Sequence, residues 1–405
     1  MQYAVGLNSG SSFDGVDAVL VQLEVDGAGF IAPPKFVDAI SMDWPEEIQG
    51  HVLAAFSNDL SIFELTRLNY IVGGVFAEAA LALLKKCGVA AADVAVIGYD
   101  GQTIYQEPPE PSVMRALDAS APLYQKWLTG GYPCGLQIGE PGVVAVATNI
   151  PVVTQFRSVD HALGGTGAPL MQFLDFVAFR HLAPIATLNI GGISNIQVAD
   201  ADRGRMRAFD CGPGNVMIDH AMNRLFGRSY DADGATAAAG TVDRTLLDEL
   251  LTHPFFKRPI PRCAWRLDFG AEYADRMIDA HSQLSPEDIV ATFTRFTAHA
   301  IVNAFNTLIP QVDEIKTLIA SGGGVRNLTL MGQVAEMLPS GVRVVLSDEY
   351  GLPAQYKEAI KFATLGFATK NSIGDNIPAA SGATKFGVLG KLVLPPACAR
   401  LTEIE

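Results

Sequence analysis

A turn rich in glycine and serine, at residues 10–17, carries the first group of residues that could do chemistry. An apolar run at residues 3–7 leads into it and an alternating segment at residues 16–23 leaves it, which predicts a hairpin between two strands. Gly10 and Gly15 permit positive φ, so backbone N–H groups at the bend can face outward. Such a bend can bind phosphate oxygens. A hairpin turn decorated with polar residues but without a ligand is the alternative.

Two carboxylates in this turn bear on the choice of ligand. Asp14 and Asp17 would repel a bare triphosphate. They fit a phosphate site only if a divalent cation lies between carboxylate and phosphate. The turn therefore favours a nucleotide bound together with a metal ion.

A second carboxylate lies beside glycines after the strand predicted at residues 150–153. Asp160 follows that strand, residues 164–167 are rich in glycine, and Pro169 suits the first turn of a helix. Free N–H groups at a helix N-terminus attract anions, and an aspartate at a strand end can serve as a general base. The alternative is an aspartate that caps a helix beside a flexible loop.

The opening hairpin has a second copy about 180 residues later in the chain. Residues 186–198 form a strand ending in Leu-Asn, a turn at Gly191 and Gly192, and a strand with period two. Two copies of one hairpin predict two related halves that face each other and hold phosphates between their turns. The main domain boundary is expected near residue 185.

Further glycine turns follow other predicted strands. Asp210 and the glycines after it open a helix, and residues 322–324 are three consecutive glycines that let a flat ring or a ribose approach the backbone. A strand at 94–98 leads to the polar residues 100–103, at the carboxyl end where open α/β sheets bind ligands. The chain has neither GxGxxG nor a Walker loop at these turns, so a nucleotide would be bound in another way.

Composition narrows the class of protein. The chain has 405 residues, 49% of them hydrophobic and 18% charged, and a formal net charge of −14. An acidic chain lacks the basic face that nucleic acids or anionic membranes require. No basic leader and no uninterrupted apolar run of about 18 residues occur, so we expect a soluble, cytoplasmic protein. Five scattered cysteines without CxxC spacing indicate reduced thiols rather than disulfides or zinc.

Periodicity predicts an α/β chain of two domains. The apolar pattern predicts helices at residues 46–58, 62–86, 285–308 and 353–370, and a short closing helix that includes Lys391 and Leu394. The expected domains are residues 1–184 with 372–405, and residues 185–371.

Taken together, the motifs resemble those of the anhydro-N-acetylmuramic acid kinases, including their relative levoglucosan kinase. The matching segments occur in the family's order: GSSFDGVD (10–17), DGQT (100–103), FRSVDHALGGTGAPL (156–170), LNIGGISN (188–195), FDCGPGNVMID (209–219) and ASGGGVRN (320–327). The resemblance implies an actin-like ATPase fold, of the sugar kinase, Hsp70 and actin type. Such a fold has two related RNase H-like domains, a sugar-side and a nucleotide-side domain, with an interdomain ATP cleft.

The resemblance also implies a reaction and roles for individual residues. Water opens a 1,6-anhydro sugar at C1 while the γ-phosphoryl group of MgATP passes to O6. The water-activating base corresponds to Asp160, and Arg157, if it lies near, would keep Asp160 ionised and could stabilise phosphoryl charge. Asp14 is expected to reach Mg²⁺ through water. The residues expected to bind ATP are Gly10, Ser11, Ser12, Phe13, Asp14, Gly15, Val16, Asp17, Gly191, Gly192, Asp210, Gly212, Gly214, Asn215, Gly322, Gly323, Gly324 and Asn327. Those expected to bind the sugar are Asp100, Gln102, Thr103, Glu140, Gly165, Thr166 and Arg266.

Three departures from the family pattern fall among the sugar residues. Asp100 stands where the family usually has histidine, and Thr166 stands where it usually has glutamine. Residues 263–267 replace a Ser-Thr-Gly-Arg-Glu stretch and keep only Arg266. The type of reaction is therefore better defined than the sugar, and levoglucosan is the alternative substrate.

Other classes of protein remain as alternatives. A non-catalytic actin-like protein could bind ATP, although Asp160 and its glycines speak against this. A chaperone-type ATPase would need a peptide-binding domain, for which no pattern follows. Asp231 and Asp233 have a spacing similar to that of a calcium loop but lack its later glutamate. The expected partner is a small anhydrosugar, without nucleic acid or membrane, in a possible homodimer.

Overall fold

The computed structural model describes residues 1–9, 15–117, 120–168, 170–260, 262–264 and 266–398. Its strands are β1 (Gln2–Asn8), β2 (Val16–Leu23), β3 (Lys35–Met42), β4 (Val94–Gly98), β5 (Gln102–Glu107), β6 (Cys134–Ile138), β7 (Val152–Thr154), β8 (Ile185–Ile190), β9 (Ile193–Ala199), β10 (Arg207–Pro213), β11 (Thr317–Ser321), β12 (Arg343–Leu346) and β13 (Lys391–Val393).

The α-helices alternate with these strands in both halves of the chain. They are α1 (Glu46–Phe56), α2 (Ile62–Cys87), α3 (Pro111–Ala116), α4 (Pro141–Thr148), α5 (Arg157–Ala162), α6 (Met171–Phe179), α7 (Val216–Phe226), α8 (Ala235–Ala239), α9 (Arg244–Leu251), α10 (Arg266–Phe269), α11 (Ala271–Ala280), α12 (Pro286–Leu308), α13 (Leu328–Met337), α14 (Lys357–Lys370) and α15 (Pro378–Ser381).

The chain forms two compact units, residues 1–178 with 356–405 and residues 179–355. The main sheet of the first unit has the order β13-β7-β4-β1-β2-β3, and the sheet of the second has the order β10-β9-β8-β11-β12. In each sheet, three consecutive strands pair antiparallel, beginning with β1 in the first unit and β8 in the second. A later strand then pairs parallel with that first strand, β4 with β1 and β11 with β8. This shared order is that of an RNase H-like domain and confirms the expected actin-like α/β fold with two related domains.

Helix α14 corrects the expected domain boundary at residue 372. Sequence periodicity detects this helix but does not show which sheet the helix packs on. We therefore expected the helix in the second domain. It packs instead on β1 and β4 of the first unit. A Cβ at Gly6 would lie 1.9 Å from the Ala359 carbonyl oxygen, and one at Gly98 would lie 2.0 Å from that of Phe362. Glycines in these strands thus permit the helix to approach the sheet closely.

The core of the first unit lies between this sheet and α2. Phe76 of α2 stacks on Tyr99 with ring centroids 4.9 Å apart, and both side chains are buried. Among the described residues, α2 alone is long and apolar enough to span a membrane, and 56% of the relevant window is buried within the protein. It begins with a capping box at Ser61 and ends at Gly88 in the left-handed conformation.

The chain end is where a predicted element is wrong. Lys391–Val393 form β13, which pairs antiparallel with β7, rather than part of a closing helix. The segment is too short to show a period, and its partner strand lies more than 200 residues earlier in the chain. Lys391 pairs with Thr154 and Val393 pairs with Val152, with Leu392 between them. This register exists only once the sheet is formed.

Candidate active site

Asp160 is buried in α5, with 1% of its surface exposed. Its Oδ1 accepts hydrogen bonds from the Ser381 hydroxyl at 2.8 Å and from the Asn376 amide at 3.2 Å. Its Oδ2 accepts one from the Gly167 backbone N–H at 2.9 Å. These donors orient a carboxylate that lies within the first turn of the helix rather than at its N-cap. The capping alternative is therefore wrong.

Two of the three donors come from a part of the chain that sequence reasoning passed over. Asn376 and Ser381 lie 216 and 221 residues after Asp160. Ser381 also accepts, through its carbonyl oxygen, a hydrogen bond from the Thr166 N–H at 2.9 Å. Neither residue stands in a motif or a periodic pattern that would have singled it out.

The loop after α5 closes around the Asp160 carboxylate. A Cβ at Gly165 would lie 2.3 Å from Asp160 Oδ2, and one at Gly167, where φ is +64°, would lie 2.0 Å from His161 Nε2. Both positions therefore exclude a side chain. The Thr166 hydroxyl donates to the Ala168 carbonyl at 2.6 Å, so it stabilises the loop itself. Pro169 lies outside the described residues.

Arg157 is held by a carboxylate other than Asp160. Its Nε lies 2.5 Å from Asp100 Oδ2, and its Nη1 donates to Gln106 Oε1 at 2.7 Å and to the Gly167 carbonyl at 3.3 Å. Asp100 Oδ1 accepts from the Phe156 N–H at 3.0 Å. The expected arrangement, with Arg157 directly at Asp160, is thus replaced by one in which Asp100 fixes the arginine.

The pair with Arg157 also changes the role expected for Asp100, which was sugar binding. This side chain is 2% exposed, and each of its carboxylate oxygens already binds a donor of the protein. Asp100 therefore stabilises the junction between β7 and α5, in addition to any contact with a sugar. The sequence pattern places it correctly at the carboxyl end of β4 but gives no sign of its partner.

Two buried basic side chains near this site, His161 and Lys361, have lowered pKa values. Burial lowers the pKa of His161, and the nearby Arg157 charge lowers it further. Burial also lowers the pKa of Lys361, whose Nζ lies 4.2 Å from the centroid of the Phe362 ring. The two burial effects follow from the cost of desolvating a cation, and the effect of Arg157 is repulsion between like charges. His161 is expected to be neutral at pH 7.

Gln102 and the residue before the first glycine turn share a hydrogen bond. The Ser9 hydroxyl donates to Gln102 Oε1 at 2.7 Å and accepts from Trp44 Nε1 at 3.0 Å. Gln102 is fully buried, and its Nε2 has no hydrogen-bond partner among the described residues. A buried donor of this kind is suited to a ligand oxygen. Residues 10–14, the centre of the expected phosphate turn, lie outside the described part of the chain.

The structure describes the residues on both sides of the turn in the first hairpin. Gly15 precedes β2, and Val16 is buried opposite Met42. Asp17 pairs with Asn8 across the hairpin and accepts from the Ser41 hydroxyl at 2.6 Å. The predicted hairpin between β1 and β2 is confirmed.

Two other expected sugar residues have structural partners. Thr103 lies opposite Gln137 in the β5–β6 ladder. Glu140 caps α4 by accepting from the Gly142 N–H at 3.1 Å and also binds Asn69 at 3.2 Å. Arg266 begins α10 in the second unit.

In the second unit, the turn at Gly191 and Gly192 covers the start of α7. The carbonyl of Gly191 accepts from the Asn215 N–H at 2.8 Å, and that of Gly192 accepts from the N–H groups of Gly214 and Val216. A Cβ at Gly214 would lie 2.3 Å from the Gly191 carbonyl oxygen. The N–H groups of Gly214, Asn215 and Val216 are therefore used within the protein, so the phosphate contact expected at Gly214 and Asn215 would need other atoms of these residues.

The glycines after β11 lie against the same turn. A Cβ at Gly324 would lie 2.2 Å from Ile190 Cγ2 and 3.0 Å from Asn215 Oδ1. Gly322 has φ of +87° and lies close to the Ile190 carbonyl. The structure therefore brings the three expected nucleotide segments of this unit, at residues 191–192, 212–215 and 322–324, into one place.

Gly323 differs from its neighbours because, among the described residues other than Gly323 and its two chain neighbours, no atom lies within 4 Å of the position a Cβ would take. At Gly191 and Gly192 the nearest such contacts are 3.7 and 3.9 Å. Packing within the unit thus allows a side chain at these positions. Open backbone of this kind suits the close approach of a flat ligand. Asn327, in contrast, caps α13 by accepting from the Leu330 N–H at 2.9 Å.

Asp210 lies in β10 and is buried. Burial raises the pKa of Asp210 to about 7, against the opposing effects of the Ala264 N–H, which donates to Oδ2 at 2.6 Å, and of the Arg262 charge. Arg262 donates from Nε to the Asp210 carbonyl at 2.9 Å. Gly212, with φ of +144°, faces Phe256 and Ala300. Asp210 thus joins β10 to the segment that departs from the family pattern.

The model of one protein family matches residues 2–395, nearly the whole chain. The chain belongs to the anhydro-N-acetylmuramic acid kinase family. Curated members with this name are 35% identical over 97% of this chain and 99% of theirs in Clostridioides difficile, and 36% identical over 96% of both in Caldanaerobacter subterraneus. The Bacillus cereus member is 34% identical over 97% of this chain and 100% of its own. Membership of the anhydro-N-acetylmuramic acid kinases indicates a kinase with a small anhydrosugar substrate.

Solved structures outside the anhydro-N-acetylmuramic acid kinases are more distant. Component A of the (R)-2-hydroxyglutaryl-CoA dehydratase of Acidaminococcus fermentans aligns with a TM-score of 0.44 and 13% identity, over 92% of this chain and 100% of that chain. The activator of the 2-hydroxyisocaproyl-CoA dehydratase of Clostridium difficile, with bound ADPNP, aligns with a TM-score of 0.41 and 13% identity, over 91% and 96%.

The donor set for a metal ion is incomplete in the described part of this family member. Across those residues, no three His, Cys, Asp or Glu side chains are grouped as metal ligands. Asp14, the carboxylate expected to reach Mg²⁺, lies outside them. Asp231, considered above for a calcium loop, accepts from the N–H groups of Thr236 and Ala237 and so caps α8.

Proposed function

We propose that this protein uses ATP to phosphorylate O6 of 1,6-anhydro-N-acetylmuramic acid and opens the anhydro ring with water. The observation that supports this most is the buried Asp160 carboxylate, oriented by Ser381, Asn376 and Gly167. A base that activates water must be held in one orientation and needs its acceptor oxygens fixed. The first unit would act on the sugar and the second would bind the nucleotide.

The proposed reaction balances as follows. Asp160 takes a proton from water as the water oxygen bonds to C1 and the C1–O6 bond breaks. O6 bonds to the γ-phosphorus as the bond from that phosphorus to the ADP oxygen breaks, and the proton on Asp160 later passes to solvent. The products are a 6-phosphosugar with a free anomeric hydroxyl and ADP. Mg²⁺, bound with ATP, would offset phosphate charge.

In this proposal Arg157 acts through the loop rather than at the phosphoryl group. Its contacts with Asp100, Gln106 and the Gly167 carbonyl hold the loop whose Gly167 N–H binds Asp160. Gln102, whose buried Nε2 finds no hydrogen-bond partner in the described ranges, would donate to a sugar oxygen. The open backbone at Gly191, Gly192 and Gly323 would lie against the nucleotide. A cytoplasmic location and a homodimer are part of this proposal and rest on the family resemblance alone.

Levoglucosan is the second candidate substrate because Asp100 and Thr166 depart from the family pattern. Both are used by the protein itself, Asp100 by Arg157 and Thr166 by the Ala168 carbonyl. A panel of anhydro-N-acetylmuramic acid, levoglucosan and buffer alone with γ-labelled ATP tests the proposal. We expect labelled 6-phosphosugar from the first. Label in inorganic phosphate alone would contradict sugar kinase activity and favour a non-catalytic or ATPase role.

A further inference from the structure

Gln106 occupies a position between the Asp100–Arg157 pair and the loop that binds Asp160. It lies in β5, and its side chain is 9% exposed. Its Oε1 accepts from Arg157 Nη1 at 2.7 Å, and its Nε2 donates to the Thr166 carbonyl at 3.0 Å. Both ends of the amide are therefore in use, the acceptor by Arg157 and the donor by the loop.

The contacts form a continuous chain from β4 to the Asp160 carboxylate. Asp100 holds Arg157, Arg157 binds Gln106 and the Gly167 carbonyl, and Gln106 binds the Thr166 carbonyl. The Gly167 N–H then donates to Asp160 Oδ2. Two adjacent carbonyls of the loop are thus fixed. The Thr166 carbonyl and the Gly167 N–H belong to one planar peptide, so the bond from Gln106 sets the direction of the N–H that meets Asp160.

We propose that Gln106 is a positioning residue for Asp160, acting through the backbone of Thr166 and Gly167. This inference rests on the proposed function of Asp160. The amide is suited to the task because it presents one acceptor and one donor in a plane. Neither a carboxylate nor an ammonium could serve Arg157 and a carbonyl oxygen at once. Buried amides of this kind are costly when one end loses its partner.

The test combines kinetics with amide hydrogen exchange on the full-length protein. Gln106→Met keeps the size of the side chain and removes both hydrogen bonds. We expect kcat to fall about 10- to 100-fold, the scale for a displaced catalytic group. KM for ATP should change less than about threefold. Exchange should speed up in a peptide covering residues 163–168, with no change in peptides from the second unit.

Two further variants separate positioning from a general loss of structure. Gln106→Glu keeps an acceptor for Arg157 and loses the donor to Thr166, so we expect faster exchange at 163–168 and a smaller fall in kcat than for Gln106→Met. Gln125→Met, at an exposed position of the same unit, is the matched control and should behave as the unmodified protein.

The outcomes decide the proposal in either direction. Faster exchange with unchanged kcat, or a fall in kcat with unchanged exchange, would overturn it, because Gln106 must act through the loop. Absence of sugar phosphorylation by the unmodified protein would overturn the proposed function instead. In that case the exchange data still show whether Gln106 holds the loop.

Discussion

The carboxylate of Asp100 binds the guanidinium of Arg157, with 2.5 Å between Oδ2 and Nε. Asp100 follows β4 and Arg157 begins α5, so this pair joins two elements at the carboxyl edge of the first sheet. The arginine is thereby turned towards the glycine loop at residues 164–168. Removing the charge of Asp100 should release it.

We expect Asp100→Asn to lower kcat about 10-fold and to destabilise the first unit by about 3 kcal/mol, the cost of breaking a largely buried pair. The substitution keeps an acceptor for the Phe156 N–H but leaves Arg157 without its counter-charge. Urea unfolding and steady-state kinetics measure the two effects. Asp26→Asn, at an exposed turn, is the control. Equal stability of the two variants would contradict the importance of the pair.

Asp160→Asn should lower turnover by about two orders of magnitude or more, the contribution of a general base. The amide keeps the size of the side chain but cannot accept a proton from water. ATP affinity, measured by calorimetry, should remain within about threefold of the unmodified value. Turnover that is unchanged would remove Asp160 from the mechanism.

Alanine at Gly165 should abolish activity with little change in ATP affinity. Its Cβ would lie 2.3 Å from Asp160 Oδ2, so the loop or the carboxylate must move. Activity assays together with differential scanning calorimetry distinguish a loss of catalysis from unfolding. Full activity of Gly165→Ala would show that the geometry around Asp160 is not demanding.

Alanine at Gly323 should lower ATP affinity, in contrast to alanine at Gly165. Within the described part of the chain, no atom beyond the adjacent residues lies within 4 Å of the position of its Cβ, so the protein should fold normally. ATP affinity should fall about 10-fold if the nucleotide lies on this backbone. Gly332→Ala, which also meets nothing within 4 Å but lies in α13, provides the matched control. Unchanged affinity in Gly323→Ala would place the nucleotide elsewhere.

The raised pKa of Asp210, about 7, predicts a pH dependence of stability. Burial disfavours the charged form, so the folded state binds this proton more tightly than the unfolded state, in which the pKa is about 3.9. The group contributes its full stability below pH about 4 and loses it as pH rises through about 7. Asp210→Asn should remove this loss, which is of the order of a few kcal/mol. The measurement is urea unfolding at pH 5 and pH 8 for both proteins. An equal difference between them at the two pH values would contradict the prediction.

The sequence alone determined the two hairpins, most helices and the positions of the polar turns. Alternating Val16, Ala18 and Leu20 and the glycine turns are local patterns, and local patterns determine local structure. Asp160 could be selected for the same reason, because a carboxylate, glycines and a helix start lie within a few residues. The short β13 shows the limit, since three residues have no measurable period.

The tertiary structure alone decided what surrounds Asp160. Ser381 and Asn376 reach it from more than 200 residues away, and Arg157 binds Asp100 rather than its near neighbour in sequence. The direction of a hydrogen bond depends on the packing of whole elements, and α14 carries the chain back to the first sheet before residues 376–381. No spacing in the sequence records such a return, because a contact between distant segments is fixed by the fold as a whole.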